Sequence, residues 1–138
     1  MILRQFLHTE PVAASYLFGC GGRAAGAVVD PLGDPSPYLA AAEATGMRIR
    51  YVIDTHLHAD HVSAGRALAN AASAEYVLFA QAAADFPFLG VHEGDVLGLG
   101  NVTVKVCTRP DTPRSTSASS SPIAPAPTSH GWHLPVIR

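Results

Sequence analysis

The stretch "RIRYVIDTHLHADHVSAGRALA", residues 48–69, runs from an apolar segment through a cluster of histidines and aspartates into an alanine-rich segment. Three of the chain's seven histidines lie in this stretch. The first segment alternates as a β-strand does, and the last has the pattern of a helix that Ser63 can cap. In the strand, we expect one face to carry Ile49, Tyr51 and Ile53 and the opposite face to carry Val52. The polar cluster is therefore predicted at a strand-to-helix junction.

Within the cluster, four side chains have the spacing H-x-H-x-D-H, namely His56, His58, Asp60 and His61. In an extended segment the first two imidazoles point the same way, and the other two groups follow as the chain turns. Three imidazoles and one carboxylate suit Zn, Fe or Mn rather than Ca or Mg. Asp54 could orient one imidazole by accepting its second N–H. The alternative is a solvated histidine-rich loop, but this spacing is far more restrictive than a single H-x-H and favours a metal site.

The residues on either side predict an α/β layered sandwich. Strands are expected at residues 2–7, 15–20, 25–31, 75–80 and 101–106, and Pro31 stops the third of them. A helix is expected to begin with Ser36 as its cap and Pro37 in its first turn, and to end at Gly46. Strands that come first and then alternate with helices are typical of layered α/β folds.

Composition narrows the class of protein. At 138 residues the chain is at most one modest domain, and 48% apolar residues favour a globular fold. A net charge of −2 without a basic run makes neither nucleic acid nor an anionic membrane the expected partner. The two cysteines, Cys20 and Cys107, are interpreted as small buried residues rather than ligands or a disulfide framework. No signal-peptide pattern or long apolar segment is present, so a cytoplasmic location is expected.

The composition changes after Val106, where Ser, Thr, Pro and Ala dominate and no apolar period remains. We therefore expect a partial domain at residues 1–106 and an irregular, disordered tail at residues 107–138. Proteolysis is expected to trim the chain back to about Val106, because such a tail cannot offset the entropy of ordering.

The H-x-H-x-D-H spacing resembles the signature of the metallo-β-lactamase superfamily. The segments "YLFGCGG", "AGAVVDPLGDPSPYLAAAEATGM" and "RYVIDTHLHADH" are similar to the branch that contains glyoxalase II and persulfide dioxygenases. This resemblance covers about residues 1–106. It implies the N-terminal half of an αββα sandwich with a metal site at one sheet edge, and a small thioester or persulfide substrate.

The resemblance also implies residue roles. In dinuclear members, His56 and His58 would bind one metal, and Asp60 and His61 the other, with Asp60 also assigned a catalytic role. In the dioxygenase branch, His56 would bind a single iron together with a later His and Asp. Both schemes require further ligands from a downstream turn of the T-P-G-H-T type and from a later Asp, which this chain lacks.

The codons that encode residues 108–116 can encode the missing turn when they are read in another frame. Each shifted codon takes the third base of one codon and the first two bases of the next. For "TRPDTPRST", the genetic code then permits T-P-G-H-T-P-E-H, and the following "STSASSSPIAP" permits the apolar segment "ICLLVTDRT". We infer a single-base frameshift near Cys107, with a native low-complexity tail as the rival.

Three functional interpretations follow. The first is a metal-dependent hydrolase or dioxygenase of the glyoxalase II-like branch that has lost its downstream ligands and is inactive or marginal. The second is a non-catalytic metal-binding or interaction fragment. The third is another chemistry of the superfamily, such as β-lactam hydrolysis, which the branch-like segments around the histidine cluster disfavour. Zn or Fe is the expected cofactor in the first.

Overall fold

The computed structural model describes residues 1–23, 25–56, 63–108 and 131–136, which form two β-sheets and two helices. The six strands of the larger sheet are β1 (Ile2–Thr9), β2 (Val12–Cys20), β3 (Ala25–Val29), β4 (Arg48–Ile53), β5 (Glu75–Phe79) and β6 (Leu89–Val91). The smaller sheet contains β7 (Val96–Leu99), β8 (Val102–Thr108) and β9 (Gly131–Val136). The helices are α1 (Ser36–Ala44) and α2 (Gly65–Ala72), and one 3₁₀ turn spans Gly21–Arg23.

The larger sheet changes from antiparallel to parallel in chain order. Strands β1, β2 and β3 pair antiparallel, whereas β3, β4, β5 and β6 pair parallel. Helix α1 connects β3 to β4, and α2 connects β4 to β5. The carboxyl ends of these parallel strands therefore meet at one edge of the sheet, where ligands bind in open α/β sheets. The segment that follows β4 begins at this edge.

Each face of the larger sheet is covered by a different apolar layer. On one face, Val28, Val52 and Leu78 pack with Tyr38 of α1 and Leu68 of α2. The opposite face packs against the smaller sheet, and that core contains Phe18, Ala27, Val29, Tyr51, Ile53, Val77, Val91, Leu97, Leu99, Val102, Val104 and Val106. The described residues thus form helix, sheet and sheet layers, as expected for the N-terminal part of the αββα sandwich.

The predicted alternation in β4 is wrong at Ile49. Ile49 pairs with Gly26, but the next pair along β3 is Ala27 with Tyr51, so Arg50 is an extra residue in β4. This β-bulge shifts the alternation by one position. Ile49 therefore packs beside Val52 on the helix side instead of with Tyr51 and Ile53.

The ends of α1 differ in how well the sequence predicted them. Pro35 is the N-cap residue and makes no side-chain cap bond, so the prediction that Ser36 caps the helix is wrong. Instead, the backbone N–H and hydroxyl of Ser36 both donate to Oδ1 of Asp34, at 2.8 and 2.7 Å, and these bonds hold the pKa of Asp34 below its ordinary value. The predicted end is confirmed, because α1 ends at Ala44 and Gly46 follows with φ +65°.

The expectation of an irregular tail needs one correction. Strand β8 extends to Thr108, and Gly131–Val136 forms β9, which pairs parallel with it. Trp, Leu and Val favour strands, and Pro135 is compatible with an edge strand. The prediction judged the tail by its Ser- and Pro-rich composition and overlooked these six residues. Residues 109–130 and 137–138 lie outside the described ranges, so the domain boundary stays a prediction.

Two other sequence-based expectations can be compared with the described residues. Cys20 is buried in the core between the sheets, as predicted, whereas Cys107 is half-buried. No helix in the described ranges is long and apolar enough to cross a membrane.

Candidate metal centre

The candidate centre lies where β3 and β4 end side by side. Asp30 follows β3 directly, and its backbone N–H donates to the carbonyl oxygen of Ile53 at 2.8 Å. The backbone N–H of Asp54 donates to the carbonyl oxygen of Val77 at 3.2 Å. These bonds extend the parallel ladder by one residue beyond the strands. They place the start of the histidine segment against the end of β3.

A polar chain joins Asp30 to the first histidine. The Asp30 carboxylate accepts two hydrogen bonds from Thr55, one from its backbone N–H to Oδ1 and one from its hydroxyl to Oδ2, each at 2.7 Å. Oγ1 of Thr55 lies 2.9 Å from Nδ1 of His56. Asp30 and Thr55 are partly buried, whereas His56 is exposed. The first predicted ligand is thus held through one of its two ring nitrogens.

A second polar contact lies beneath the same segment. The hydroxyl of Tyr76 donates to Oδ2 of Asp54 at 2.6 Å, and Asp54 is only 3% exposed. Burial, and then the hydrogen bond to Asp54 and its negative charge, raise the pKa of Tyr76 well above its ordinary value, while Ser63 and Arg66 oppose the rise. Tyr76 therefore remains a hydrogen-bond donor to this carboxylate over the whole physiological range of pH.

The chain re-enters the described region at Ser63, close to where it left. Leu32 and Ser63 form an isolated β-bridge, and the backbone N–H of Ala64 donates to the carbonyl oxygen of Pro31 at 3.0 Å. Helix α2 has Ala64 as its N-cap, so the predicted cap at Ser63 is one residue early. The Ser63 hydroxyl nevertheless accepts the N–H of Gly65 at 2.9 Å and so serves the first residue of the helix.

The predicted ligands are only partly within the described ranges. His56 lies at the carboxyl edge of the sheet, while His58, Asp60 and His61 lie outside the described residues. In the described ranges, no group of three or more His, Cys, Asp or Glu side chains converges to hold a metal ion. Of the four predicted ligands, only His56 can be compared with what a metal ion requires. Its imidazole is exposed and is held at Nδ1, and imidazole is a ligand that zinc and iron accept.

Two residues of this edge were not identified as functional from the sequence. Asp30 appeared only within the segment "AGAVVDPLGDPSPYLAAAEATGM" that carries the family resemblance, and Tyr76 only within the strand expected at residues 75–80. Nδ1 of His56 contacts Thr55, and Asp54 accepts the Tyr76 hydroxyl. That Asp54 orients one imidazole of the cluster stays a prediction, because His58 and His61 lie outside the described residues. A polar residue directly after a buried parallel strand is the signal that could have identified Asp30, because neighbouring strands end at the same edge.

A comparison with protein-family models identifies the family of this chain. The model described as "Metallo-beta-lactamase superfamily" matches residues 9–117, which is more than half of the chain. The chain therefore belongs to the metallo-β-lactamase superfamily. Zinc or iron is the metal that this family generally binds.

Individual relatives agree on the branch, and they are longer than this chain. A hydroxyacylglutathione hydrolase of Rhodospirillum rubrum is 35% identical over 97 residues, covering 69% of this chain and 38% of that protein. The crystal structure of ETHE1 from Myxococcus xanthus has 28% identity and a TM-score of 0.69, over 75% of this chain and 46% of that one. A metallo-beta-lactamase from Staphylococcus aureus has 28% identity and a TM-score of 0.72, over 77% and 33%. The chain thus resembles the N-terminal part of the glyoxalase II and persulfide dioxygenase-like branch.

Proposed function

We propose that this chain carries the first half of the metal site of a hydroxyacylglutathione hydrolase-like enzyme, whose reaction is thioester hydrolysis. The observation that carries the proposal is the position of His56 at the carboxyl edge of the sheet, in a chain similar to three hydroxyacylglutathione hydrolases. The proposed metal ligands are His56, His58, Asp60 and His61, with Asp60 also assigned a catalytic role.

The residues of this chain have separable tasks in that scheme. Zinc or iron would be held in two places, by His56 and His58 and by Asp60 and His61, and would supply Lewis acidity toward a thioester carbonyl and toward water. The Asp30 carboxylate and Thr55 hold the His56 ring, and the hydrogen bond between Tyr76 and Asp54 holds the backbone just before it. Such supporting hydrogen bonds keep ligands oriented before the metal arrives.

A second candidate reaction is iron-dependent persulfide dioxygenation. The similarity to ETHE1 over 75% of this chain supports it. In this scheme His56 ligates a single iron, and the other three residues of the cluster support the site. The two candidates therefore differ in the metal that is bound and in whether oxygen is consumed.

We also propose that this polypeptide is inactive or marginal, because residues 107–138 do not contain the T-P-G-H-T type turn that the family resemblance requires. The shifted reading that permits T-P-G-H-T continues to the end of the chain. In that frame the first two bases of the codons for Pro135, Val136 and Ile137 become the last two bases of three shifted codons, x-C-C, x-G-T and x-A-T. With suitable first bases these codons encode Thr, Gly and Asp. The same frame thus allows both the downstream His and the later Asp that the family resemblance requires. A native low-complexity tail does not account for both.

The test expresses two versions of the chain, one as it is and one with the alternative frame restored near Cys107 and the natural downstream codons. Bound Zn and Fe, the melting temperature, thioesterase activity and persulfide-dependent oxygen uptake are measured for both. We expect the restored chain to bind more metal and to melt higher, because a closing ligand stabilises the folded state. Equal metal content in the two versions would refute the frameshift and would favour the rival interpretation, a native low-complexity tail.

The same measurements distinguish the remaining interpretations. Metal binding without either activity in the restored chain would favour a non-catalytic metal-binding fragment, whereas β-lactam hydrolysis would indicate another chemistry of the superfamily. A small-molecule thioester or persulfide is the proposed substrate. The cytoplasmic location and the boundary near Val106 remain predictions from the sequence.

A further inference from the structure

The two hydrogen bonds of the Thr55 hydroxyl determine which ring nitrogen of His56 carries the proton. A hydroxyl has a single proton to donate. Oγ1 lies 2.7 Å from Oδ2 of Asp30, and a carboxylate oxygen can only accept. The proton of Thr55 therefore points to Asp30, and Oγ1 can interact with Nδ1 of His56, at 2.9 Å, only as an acceptor.

We propose that Asp30 and Thr55 form a relay that keeps the proton of neutral His56 on Nδ1 and so presents Nε2 as the nitrogen that binds a metal. The tautomer of an imidazole is set by the hydrogen bond that its other nitrogen makes. Asp30 acts here as a positioning residue, since it reaches the ring only through Thr55. The last step, from tautomer to metal, rests on the function proposed above for His56.

The relay starts from a residue in an uncommon conformation. Asp30 has φ +46°, in the left-handed region, which is uncommon for residues other than glycine and which Asp adopts when local hydrogen bonds support it. Four of its hydrogen bonds hold it there. Its N–H donates to Ile53, its carboxylate accepts two bonds from Thr55, and its carbonyl oxygen accepts the Ser15 hydroxyl at 2.6 Å. Strained residues that persist at a site are held by their surroundings in this way.

A buried polar cluster keeps the Ser15 hydroxyl directed at Asp30. Ser15 is fully buried, and its only proton goes to the carbonyl oxygen of Asp30. Nε2 of His8 lies 2.9 Å from Oγ of Ser15 and must therefore be the donor in that contact. The hydroxyl of Tyr38 also contacts Oγ, at 3.1 Å. Residues of β1, β2 and α1 thus support the position of Asp30 through the Ser15 hydroxyl.

The inference is tested by nitrogen-15 NMR of the metal-free chain, at a pH well above the ordinary His pKa of about 6.5. Two-bond correlation spectra report which ring nitrogen carries the proton, and the His56 signals are assigned by their loss in His56→Gln. Thr55→Val removes the hydroxyl but keeps the backbone bond to Asp30. Thr55→Ser restores the hydroxyl, and Thr103→Val makes the same change at an exposed position of β8.

In the unmodified chain and in Thr55→Ser we expect the proton on Nδ1, and in Thr55→Val a shift of population toward Nε2–H. A predominant Nε2–H form in the unmodified chain overturns the inference, and this result needs no variant to fold. Retention of Nδ1–H in a folded Thr55→Val also overturns it.

Zinc titration of the same proteins separates the relay from the proposed function. We expect Thr55→Val to weaken zinc binding about 10–100-fold, as loss of a ligand's supporting partner does, and Thr103→Val to leave it unchanged. If the tautomer shifts and zinc affinity stays the same, the relay stands and the metal role of His56 fails. If His56→Gln also leaves zinc affinity unchanged, that failure is confirmed independently of Thr55.

Discussion

Replacing Tyr76 with Phe tests how strongly the base of the candidate centre depends on one buried hydroxyl. The hydroxyl donates to Oδ2 of Asp54 at 2.6 Å, and the two residues are 9% and 3% exposed. Tyr76→Phe removes one oxygen and leaves the ring, so the cost comes from the hydrogen bond rather than from a cavity. A hydrogen bond to a charged group contributes about 1.5–3 kcal/mol. We therefore expect a loss of about 2 kcal/mol in the free energy of unfolding.

The assay is urea unfolding at neutral pH together with thermal melting, where a loss of this size lowers the melting temperature by about 8 °C in a chain of this length. Tyr16→Phe is the matched control, because Tyr16 is partly exposed and its hydroxyl accepts a long hydrogen bond of 3.4 Å from Gln5. That control is expected to change stability by about 0.5 kcal/mol or less.

A double-mutant cycle with Asp54→Ala isolates the contact itself, because alanine removes the acceptor whereas asparagine would keep one. If the two groups interact as the geometry indicates, their coupling energy is about 1 kcal/mol or more. Tyr76→Phe and Tyr16→Phe of equal stability, or a coupling energy below about 0.5 kcal/mol, would refute the reasoning. The first outcome would mean that the burial of Asp54 does not strengthen the bond, and the second that the Tyr76 hydroxyl does not stabilise the fold through its contact with Asp54.

Three further predictions concern the same edge and the core beneath it. Gly65→Ala is expected to lose about 1–3 kcal/mol by urea unfolding, because a Cβ there would lie 2.5 Å from Cε2 of Tyr76, whereas Gly98→Ala, with open space around it, should be nearly neutral; equal effects would contradict this. Because the folded-state pKa of Tyr76 is raised, its contribution to stability is complete below about pH 10 and is lost above it. Unfolding at about pH 8 and about pH 11 should show a smaller alkaline loss in Tyr76→Phe, and identical losses would count against the shift. Tyr38→Phe is expected to cost about 1–3 kcal/mol, because the N–H of Leu32 donates to that buried hydroxyl at 2.9 Å; a calorimetric loss below about 0.5 kcal/mol would contradict this.

The sequence predicted both helices, six of the nine strands in the described ranges and the location of the candidate centre, because these depend on local pattern. The strand that ends at Ile53 and the helix that ends before Gly46 follow from alternation and from a glycine that tolerates positive φ. The H-x-H-x-D-H spacing likewise identified the superfamily without any tertiary information, since only a few folds use such a ligand set in so short a segment. These features need no knowledge of which strands become neighbours.

Only the tertiary structure decided what surrounds His56, the first predicted ligand. Asp30 lies 25 residues before Thr55 along the chain, and the two meet because β3 and β4 are parallel neighbours. The bulge at Arg50 shows the same limit, since an extra residue in one strand is defined only by its pairing with the other. Hydrogen-bond partners that are distant in sequence leave no periodic signal in it. The packing of β3 against β4 therefore had to be known before Asp30 could be linked to His56.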